Sequence, residues 1–323
     1  MKGDAHLTCL SQETQCREPE EKTSSSTGSL HRTVTPMFAL SKATPEALVR
    51  QLTDLPPAPK ILQKLQKLIS SDHASMDMIA DLVVLEPGLS ARIVQMANST
   101  HFNRGAVVQT PLEGIQRVGL TGVKELVTYA VASNLVGRPL KAYGLEASTL
   151  WNRAVCCGIA AGYLAQKSGI VDYDDAYTAG LMHGLGLMAI DRYAAKKSKP
   201  PVLRSSGYPV DFAPAERSWL GFSHASVGGA LLALWGFSPA VVAAVNFQLA
   251  PEDAPEEHRP LCMALATSRW ARSLLCVKDE IIPELPSDVW LQGAGIEPSE
   301  FDDWLRRVKS RYLIACEELR LGA

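Results

Sequence analysis

Apolar residues recur at helical spacing through most of the chain from Thr44 onward. Ser75, a typical N-cap, is followed by Ile79, Leu82 and Val83 on one predicted helix face. Residues three and four positions apart lie on the same face of an α-helix, and the alternation typical of strands is almost absent. The pattern therefore predicts an all-α, multi-helical protein with about a dozen helices.

Composition divides the chain into four segments. Residues 1–43 are rich in Ser, Thr, Glu and Lys and poor in apolar residues, which predicts a disordered tail because such a segment buries too little surface to fold. A joint that contains glycine, GRPLKAYG, separates a first helical half, 44–140, from a second half, 141–278. Residues 279–323 follow as a helical extension. The predicted architecture is two packed helical subdomains with this C-terminal addition.

The C-terminal extension carries aromatic residues that are common both in interfaces and in cores. Trp290, Trp304 and Tyr312 lie in it, and Phe301, Val308 and Tyr312 fall on one face of a predicted terminal helix. Core positions are the more common outcome for such residues. A surface that binds another protein is the alternative.

The charge balance argues against a nucleic-acid-binding protein. The chain has 32 Lys and Arg against 34 Asp and Glu, a formal net charge of −2, so no general positive field attracts a phosphate backbone. Seven cysteines are an odd number, and the adjacent Cys156 and Cys157 do not have Cys-x-x-Cys spacing. Because the first residues also lack a secretory signal pattern, we expect a cytoplasmic protein with structural cysteines.

One uncharged stretch, residues 225–251, is long enough to raise the question of a membrane helix. The sequence WGFSP interrupts it. Ser238 as N-cap and Pro239 as first helical residue predict two shorter buried helices instead. We therefore expect no membrane-spanning segment and no membrane partner.

Several stretches, in order along the chain, carry a resemblance to a known family. The segment 55–102, which begins LPPAPKILQKL and ends ANSTHF, and the segment PLEGIQRVGLTGVKELV at 111–127 resemble the opening of HDOD domains. LWNRAV, AYTAGLMHGLG, HASVGGALLALWGFS and MALAT follow in the order of the core of HD-type metal-dependent phosphohydrolases. The resemblance runs from Leu48 to Leu275. It implies an HDOD, HD-like architecture and a role in bacterial signal transduction.

The resemblance also implies where the metal ligands of a catalytic relative would fall. Arg153 stands at the position of the first histidine, and a guanidinium cannot ligate a cation. His183 keeps the histidine of the His-Asp pair, whereas Gly184 replaces the aspartate. We expect Gly184 and Gly186 to end a helix or to let helices approach closely.

The later positions of the HD-type site also lack most of their metal ligands. His224 keeps the histidine that opens the HASVGG helix. Gln248 and Leu249 replace a histidine pair, and Thr267 replaces the final aspartate. Two neutral imidazoles without a carboxylate are too few ligands for a hydrolytic Mg²⁺ or Mn²⁺ site. We therefore expect no metal, no cofactor and no catalytic residue.

The two remaining histidines are predicted to be buried core residues. Each is expected to donate one ring nitrogen to a backbone carbonyl or a hydroxyl. The alternatives are metal ligation and a vestigial pocket that binds a small molecule or an anion. The candidate residues of such a pocket are Arg153, His183, His224, Gln248 and Thr267.

Two functions are consistent with these residues. The first is a non-catalytic regulatory module that binds other signalling proteins, or a second copy of itself, and passes on a regulatory state. The second is a residual phosphohydrolase, or a sensor of a nucleotide or another phosphate ligand, in which Arg153 holds the phosphate. If Arg153 lies in a pocket beside both histidines, its position supports the second function. If Arg153 is paired with a carboxylate at the surface, its position argues against that function.

Overall fold

All the residues described below lie in one unit of the chain, Lys42–Ala323. The computed structural model describes residues 44–52, 64, 68, 75–84, 87–98, 105–120, 122–123, 138–197, 201–203, 211–276 and 287–320. The tail predicted at 1–43 lies outside this part of the chain. The division into four segments and the cytoplasmic location stay predictions.

The first half contributes short helices with the predicted caps. The helices are α1 (Pro45–Arg50), α2 (Met76–Val84), α3 (Pro87–Ala97) and α4 (residues 111–120). Thr44 Oγ1 accepts a hydrogen bond from the backbone N–H of Ala47 at 3.2 Å, and Ser75 Oγ accepts one from Met78 at 3.2 Å. The predicted N-cap at Ser75 is therefore confirmed. Thr44 caps α1 in the same way, and each hydroxyl satisfies a backbone N–H that the helix itself leaves free.

The second half and the C-terminal region are also helical. Their helices are α5 (Ala147–Ser168), α6 (Tyr173–Met182), α7 (Leu185–Ala195), α8 (Ala213–Leu220), α9 (His224–Leu234), α10 (Pro239–Asn246), α11 (Arg259–Cys276), α12 (Asp288–Gly293) and α13 (Phe301–Arg320). The described ranges contain no β-strand, and an isolated bridge joins Leu140 to Leu145. The predicted all-α class is confirmed.

The segment AYTAGLMHGLG forms the end of one helix and the start of the next. α6 begins after Asp172, whose Oδ1 accepts a hydrogen bond from Asp175 N at 2.9 Å. It ends at Met182, and His183 and Gly184 form the turn that leads into α7. The expectation that glycine ends a helix here is confirmed. The turn places His183 at a helix end rather than in the middle of a helix face.

One continuous apolar core joins α1 and α2 to the helices of the second half. α13 belongs to this core, because Trp304 and Tyr312 are buried and Phe301 packs edge-on against Trp270 with ring centroids 5.2 Å apart. Trp304 and Tyr312 are therefore core residues, as the more common outcome predicts. They do not present an aromatic surface to a partner.

The uncharged stretch around Ser238 is divided as predicted. Ser238 Oγ accepts a hydrogen bond from Val241 N at 3.3 Å and starts α10. Among the helices that the structure describes, none combines the length and apolar character needed to cross a bilayer. Cys156 and Cys157 are both fully buried, which agrees with a structural role.

Glycines allow the helices around the α6–α7 turn to touch through their backbones. A Cβ added at Gly180 would lie 2.6 Å from the Cα of Gly158 in α5. A Cβ added at Gly186 would overlap the carbonyl oxygen of His224 and lie 2.8 Å from Gly228 N, both in α9. These distances are far inside van der Waals contact, so α6 packs directly on α5, and α7 packs directly on α9.

Replacing Gly186 with alanine is expected to destabilise the fold by about 1–3 kcal/mol, the usual range for overpacking a rigid core. The obstacle is the backbone of α9, which cannot move aside as a side chain can. Chemical denaturation of the purified variant measures the effect. Gly184→Ala is the matched control, because a Cβ there would meet only the end of the Leu150 side chain at 3.3 Å. Equal stability of the two variants would contradict the close contact.

Candidate functional site: a buried pocket of arginines and histidines

A small pocket lies where α5, α7, α9 and α11 converge on the α6–α7 turn. The space inside it measures about 10 Å³, roughly the room that one water molecule needs. Its polar lining is dominated by cationic and imidazole groups. The lining residues are Leu150, Arg153, His183, Leu187, Phe212, His224, Arg269 and Arg272.

Both ring nitrogens of His183 have partners. Nδ1 lies 2.6 Å from the carbonyl oxygen of Gly180, and Nε2 lies 2.8 Å from Nη1 of Arg272. A carbonyl can only accept and a guanidinium can only donate, so Nδ1 carries the proton and Nε2 is the acceptor. The predicted donation to a backbone carbonyl is confirmed. His183 is therefore a neutral imidazole in a single tautomer.

The surroundings of His183 oppose its protonation. Burial is the main cause and lowers the pKa of His183 well below its usual value. The positive charges of Arg272 and Arg269 lower this pKa further, and the hydrogen bond to Gly180 only partly offsets them. A proton on Nε2 would also oppose the N–H of Arg272 that this nitrogen accepts.

A buried carboxylate holds His224 in place. Glu216 Oε2 accepts hydrogen bonds from the backbone N–H of His224 at 2.6 Å and from its Nδ1 at 2.8 Å. The hydroxyl of Tyr143 donates to Glu216 Oε1 at 2.7 Å. Ser223, the N-cap residue of α9, makes no side-chain cap bond, so Glu216 caps this helix from α8. The partner of His224 is thus a carboxylate, not the carbonyl or hydroxyl predicted from the sequence.

The hydrogen bonds of Glu216 outweigh the cost of burying it. Burial alone raises the pKa of the Glu216 carboxyl, but its electrostatic interaction and hydrogen bonds with His224, together with the hydroxyl of Tyr143, bring this pKa below its usual value. Burial and then the charge of Glu216 raise the pKa of Tyr143. Glu216 is therefore an ionised acceptor, and Tyr143 remains a donor.

The structure brings together three of the five candidate residues. Arg153, His183 and His224 line the pocket. Gln248 lies outside this lining, and its Nε2 donates to the backbone carbonyl of His183 at 3.0 Å. Thr267 is fully buried in α11 and does not line the pocket either. Arg153 thus lies beside both histidines, the arrangement that the phosphate-binding hypothesis requires.

Three functional residues were not found from the sequence. Arg269 and Arg272 are three positions apart in TSRWARS, so they share a face of α11, just after Thr267. Two arginines within the otherwise largely apolar segment LCMALATSRWARSLLC, residues 261–276, were the available signal. Glu216 precedes His224 by eight residues and lies in the next helix toward the N-terminus. No fixed spacing links residues on separate helices, so only the fold could identify this pair.

The donors of this pocket do not fit the divalent metal ion of HD-type phosphohydrolases. The Nε2 atom of His183 is occupied by Arg272, and both oxygens of Glu216 are engaged by His224 and Tyr143. Three guanidinium groups in the lining, which include that of Arg153, would also repel a cation. Within the described ranges, no group of three or more His, Cys, Asp or Glu side chains is placed to hold a metal ion.

Sequence comparison matches residues 55–251, more than half of the 323-residue chain, to the HDOD domain. An uncharacterized protein of Treponema pallidum (strain Nichols) is 26% identical over 232 residues, which are 68% of this chain and 42% of that protein. The chain therefore spans less than half the length of this relative.

Solved structures of bacterial proteins share the fold. An HDOD domain protein of unknown function from Geobacter sulfurreducens has a TM-score of 0.60 and 20% identity, and the match covers 84% of this chain and 92% of that one. A protein from Marinobacter aquaeolei VT8 named for signal transduction gives 0.62 and 19%, over 85% and 64%. A protein from Shewanella amazonensis SB2B named as a phosphohydrolase gives 0.58 and 23%, over 84% and 98%. These likenesses confirm the predicted HDOD, HD-like helical fold.

The stability of the protein is expected to depend on pH through His183. The folded chain keeps this imidazole neutral, whereas the unfolded chain binds a proton on it below its usual pKa near 6.5. Its contribution to the free energy of unfolding is therefore complete above that pH and is lost as the pH falls, by up to about 1.4 kcal/mol per pH unit. His183→Gln should give a shallower decline in the free energy of unfolding between about pH 7 and pH 5.

Denaturation curves at a series of pH values measure this slope. His258→Gln is the matched control, because it removes one histidine whose side chain is partly exposed and lies 3.4 Å from Glu257. A His183→Gln slope equal to that of the wild type, or a His258→Gln slope as shallow as that of His183→Gln, would contradict the assignment.

Proposed function

The chain belongs to the HDOD family, and on this premise we propose that it is a non-catalytic module of bacterial signal transduction that acts through contacts with other proteins. The proposed partners are other signalling proteins, and a second copy of the chain is a further candidate. The name of the Marinobacter protein, which shares the fold, agrees with a signalling role.

One contact carries the non-catalytic part of the proposal. His183 is the histidine kept from the metal-binding His-Asp pair, and its Nε2 accepts a hydrogen bond from Arg272 at 2.8 Å. A metal ion would need that lone pair and would lie beside a permanent positive charge. Without a metal ion, the site lacks the group that lowers the pKa of a bound water to make a hydrolytic nucleophile.

A second candidate function is the sensing of an anionic ligand. It is supported by the position of Arg153, which lines the same pocket as His183 and His224. This candidate is compatible with the first, because an anion bound in the pocket could serve as the input of a regulatory module. Residual phosphohydrolase activity has no comparable support, since the lining residues that the structure describes include no carboxylate, and both oxygens of the neighbouring Glu216 are engaged.

The protein is expected to contain far less than one metal ion per chain after purification without chelator and after soaking in Mn²⁺, Mg²⁺ or Zn²⁺. Elemental analysis measures this content, and hydrolysis of bis(4-nitrophenyl) phosphate with the same ions measures activity. Arg272→Gln frees Nε2 of His183 and should still bind no metal, because no carboxylate joins it. One metal ion per chain that is lost in His183→Ala, together with metal-dependent hydrolysis, would overturn the proposal.

Affinity capture with the full chain as bait is expected to recover a defined bacterial partner that binds the purified protein directly and reversibly. α13 offers an exposed apolar position at Leu313, whereas its aromatic residues are buried. Leu313→Asp therefore tests whether the outer side of α13 takes part, without disturbing the core. Identical binding by Leu313→Asp would exclude that position. A failure to find any direct protein partner, including a second copy of the chain, would contradict action through protein contacts.

A further inference from the structure

We propose that the pocket binds one small inorganic anion, held by the guanidinium groups of Arg269 and Arg272. The inference deepens the anion-sensing candidate for the same site. It rests on the proposed function only in requiring that no metal ion occupies the pocket.

The charge of the lining calls for an anion. Arg153, Arg269 and Arg272 all line the space, and Arg153 and Arg272 are largely buried. Glu216, the carboxylate that contacts the lining residue His224, is already engaged by His224 and Tyr143. Buried charges of one sign repel each other and lose their hydration, so they are normally paired. An anion between Arg269 and Arg272 would supply the negative charge that no ion pair with a described carboxylate gives these two residues.

The donors of Arg269 and Arg272 are only partly used by acceptors among the described residues. Arg269 donates through Nη1 to the backbone carbonyl of Gln248, and its buried Nε meets no acceptor among the described residues. Arg272 donates through Nη1 to His183. Each guanidinium carries five N–H groups. Neither arginine forms an ion pair with any carboxylate among the described residues.

The lowered pKa of Arg269 agrees with a site in which the positive charges of the arginines are not neutralised. Burial lowers this pKa to about 10, and the charge of Arg272 contributes to the lowering. A bound anion would oppose both effects, because it replaces lost hydration and offsets the repulsion between the two guanidinium groups.

The size of the space decides which anion fits. It measures about 10 Å³, whereas sites for drug-sized ligands measure roughly 300–1,000 Å³. A nucleotide would have to push the lining apart, and an anion close in size to water, such as chloride, would not. Leu150, Leu187 and Phe212 complete the lining with apolar surface. They limit the access of water, which strengthens the attraction between an anion and the guanidinium groups.

Chloride is the probe that tests the proposal. Sodium chloride replaces sodium gluconate at constant ionic strength, and the melting temperature of the full chain is followed while titration calorimetry gives the dissociation constant. The melting temperature should rise with chloride and reach a plateau, as expected when a ligand binds the folded state. Arg269→Met should weaken chloride binding by at least about tenfold, the factor for one charge-assisted hydrogen bond.

A surface arginine provides the matched control. Arg217→Gln removes a positive charge from the exposed side of α8 and should leave the chloride dissociation constant within about twofold, since distant surface charges are screened. Arg269→Lys is the second pocket variant if Arg269→Met does not fold. It keeps the charge but loses the Nε donor, and it should also weaken binding.

Three outcomes would overturn the inference. They are equal stabilisation by chloride and gluconate, equal chloride binding by Arg217→Gln and the folded pocket variants, and tighter binding of orthophosphate or a nucleotide than of chloride. Each of these leaves metal content and partner capture unchanged, so a failure here is distinct from a failure of the proposed function.

Discussion

The backbone contact between α7 at Gly186 and α9 at His224 fixes the geometry of the pocket. Because glycine has no side chain, the two helices meet through main-chain atoms, and the contact between Gly158 and Gly180 does the same for α5 and α6. These contacts bring the α6–α7 turn, and His183 with it, against α5, α9 and α11. The polar groups of the pocket depend on this packing, since helices held apart by side chains would separate them.

Charges and hydrogen bonds then fix the protonation states of the side chains that the packing brings together. Glu216 accepts three hydrogen bonds, two from His224 and one from Tyr143, which makes a buried carboxylate favourable. His183 is held neutral between a carbonyl and the guanidinium of Arg272. The carboxylate of Glu216 is thus engaged by His224 and Tyr143, whereas Arg269 and Arg272 form no ion pair with a carboxylate in the part of the chain that the structure describes.

The sequence was sufficient for the fold class and for several local features. Helical spacing indicated the all-α class, and the N-caps at Ser75 and Ser238 could be identified because a cap depends only on neighbouring residues. The HDOD resemblance located Arg153, His183 and His224, which the fold does bring together. The sequence patterns did not predict which side chains of separate helices are in contact.

Glu216 shows why the rest of the site could not be predicted. Its role depends on where α8 packs against the start of α9, and no pattern within either helix encodes that placement. Arg269 and Arg272 are similar, because an arginine on a helix is usually a surface residue. Arg272 contacts His183, and Arg269 contacts the backbone carbonyl of Gln248, because the fold packs α11 against the α6–α7 turn.

The positive charge of the pocket comes from three guanidinium groups, so it depends on conditions in the cell differently from the charge of a bound metal ion. A bound metal ion exchanges with its supply, is removed by chelators and can be replaced by a competing metal. A guanidinium is part of the polypeptide and keeps its charge across the physiological pH range. The positive charge of this pocket is therefore set when the chain is synthesised, and neither metal starvation nor metal excess in the cell can change it.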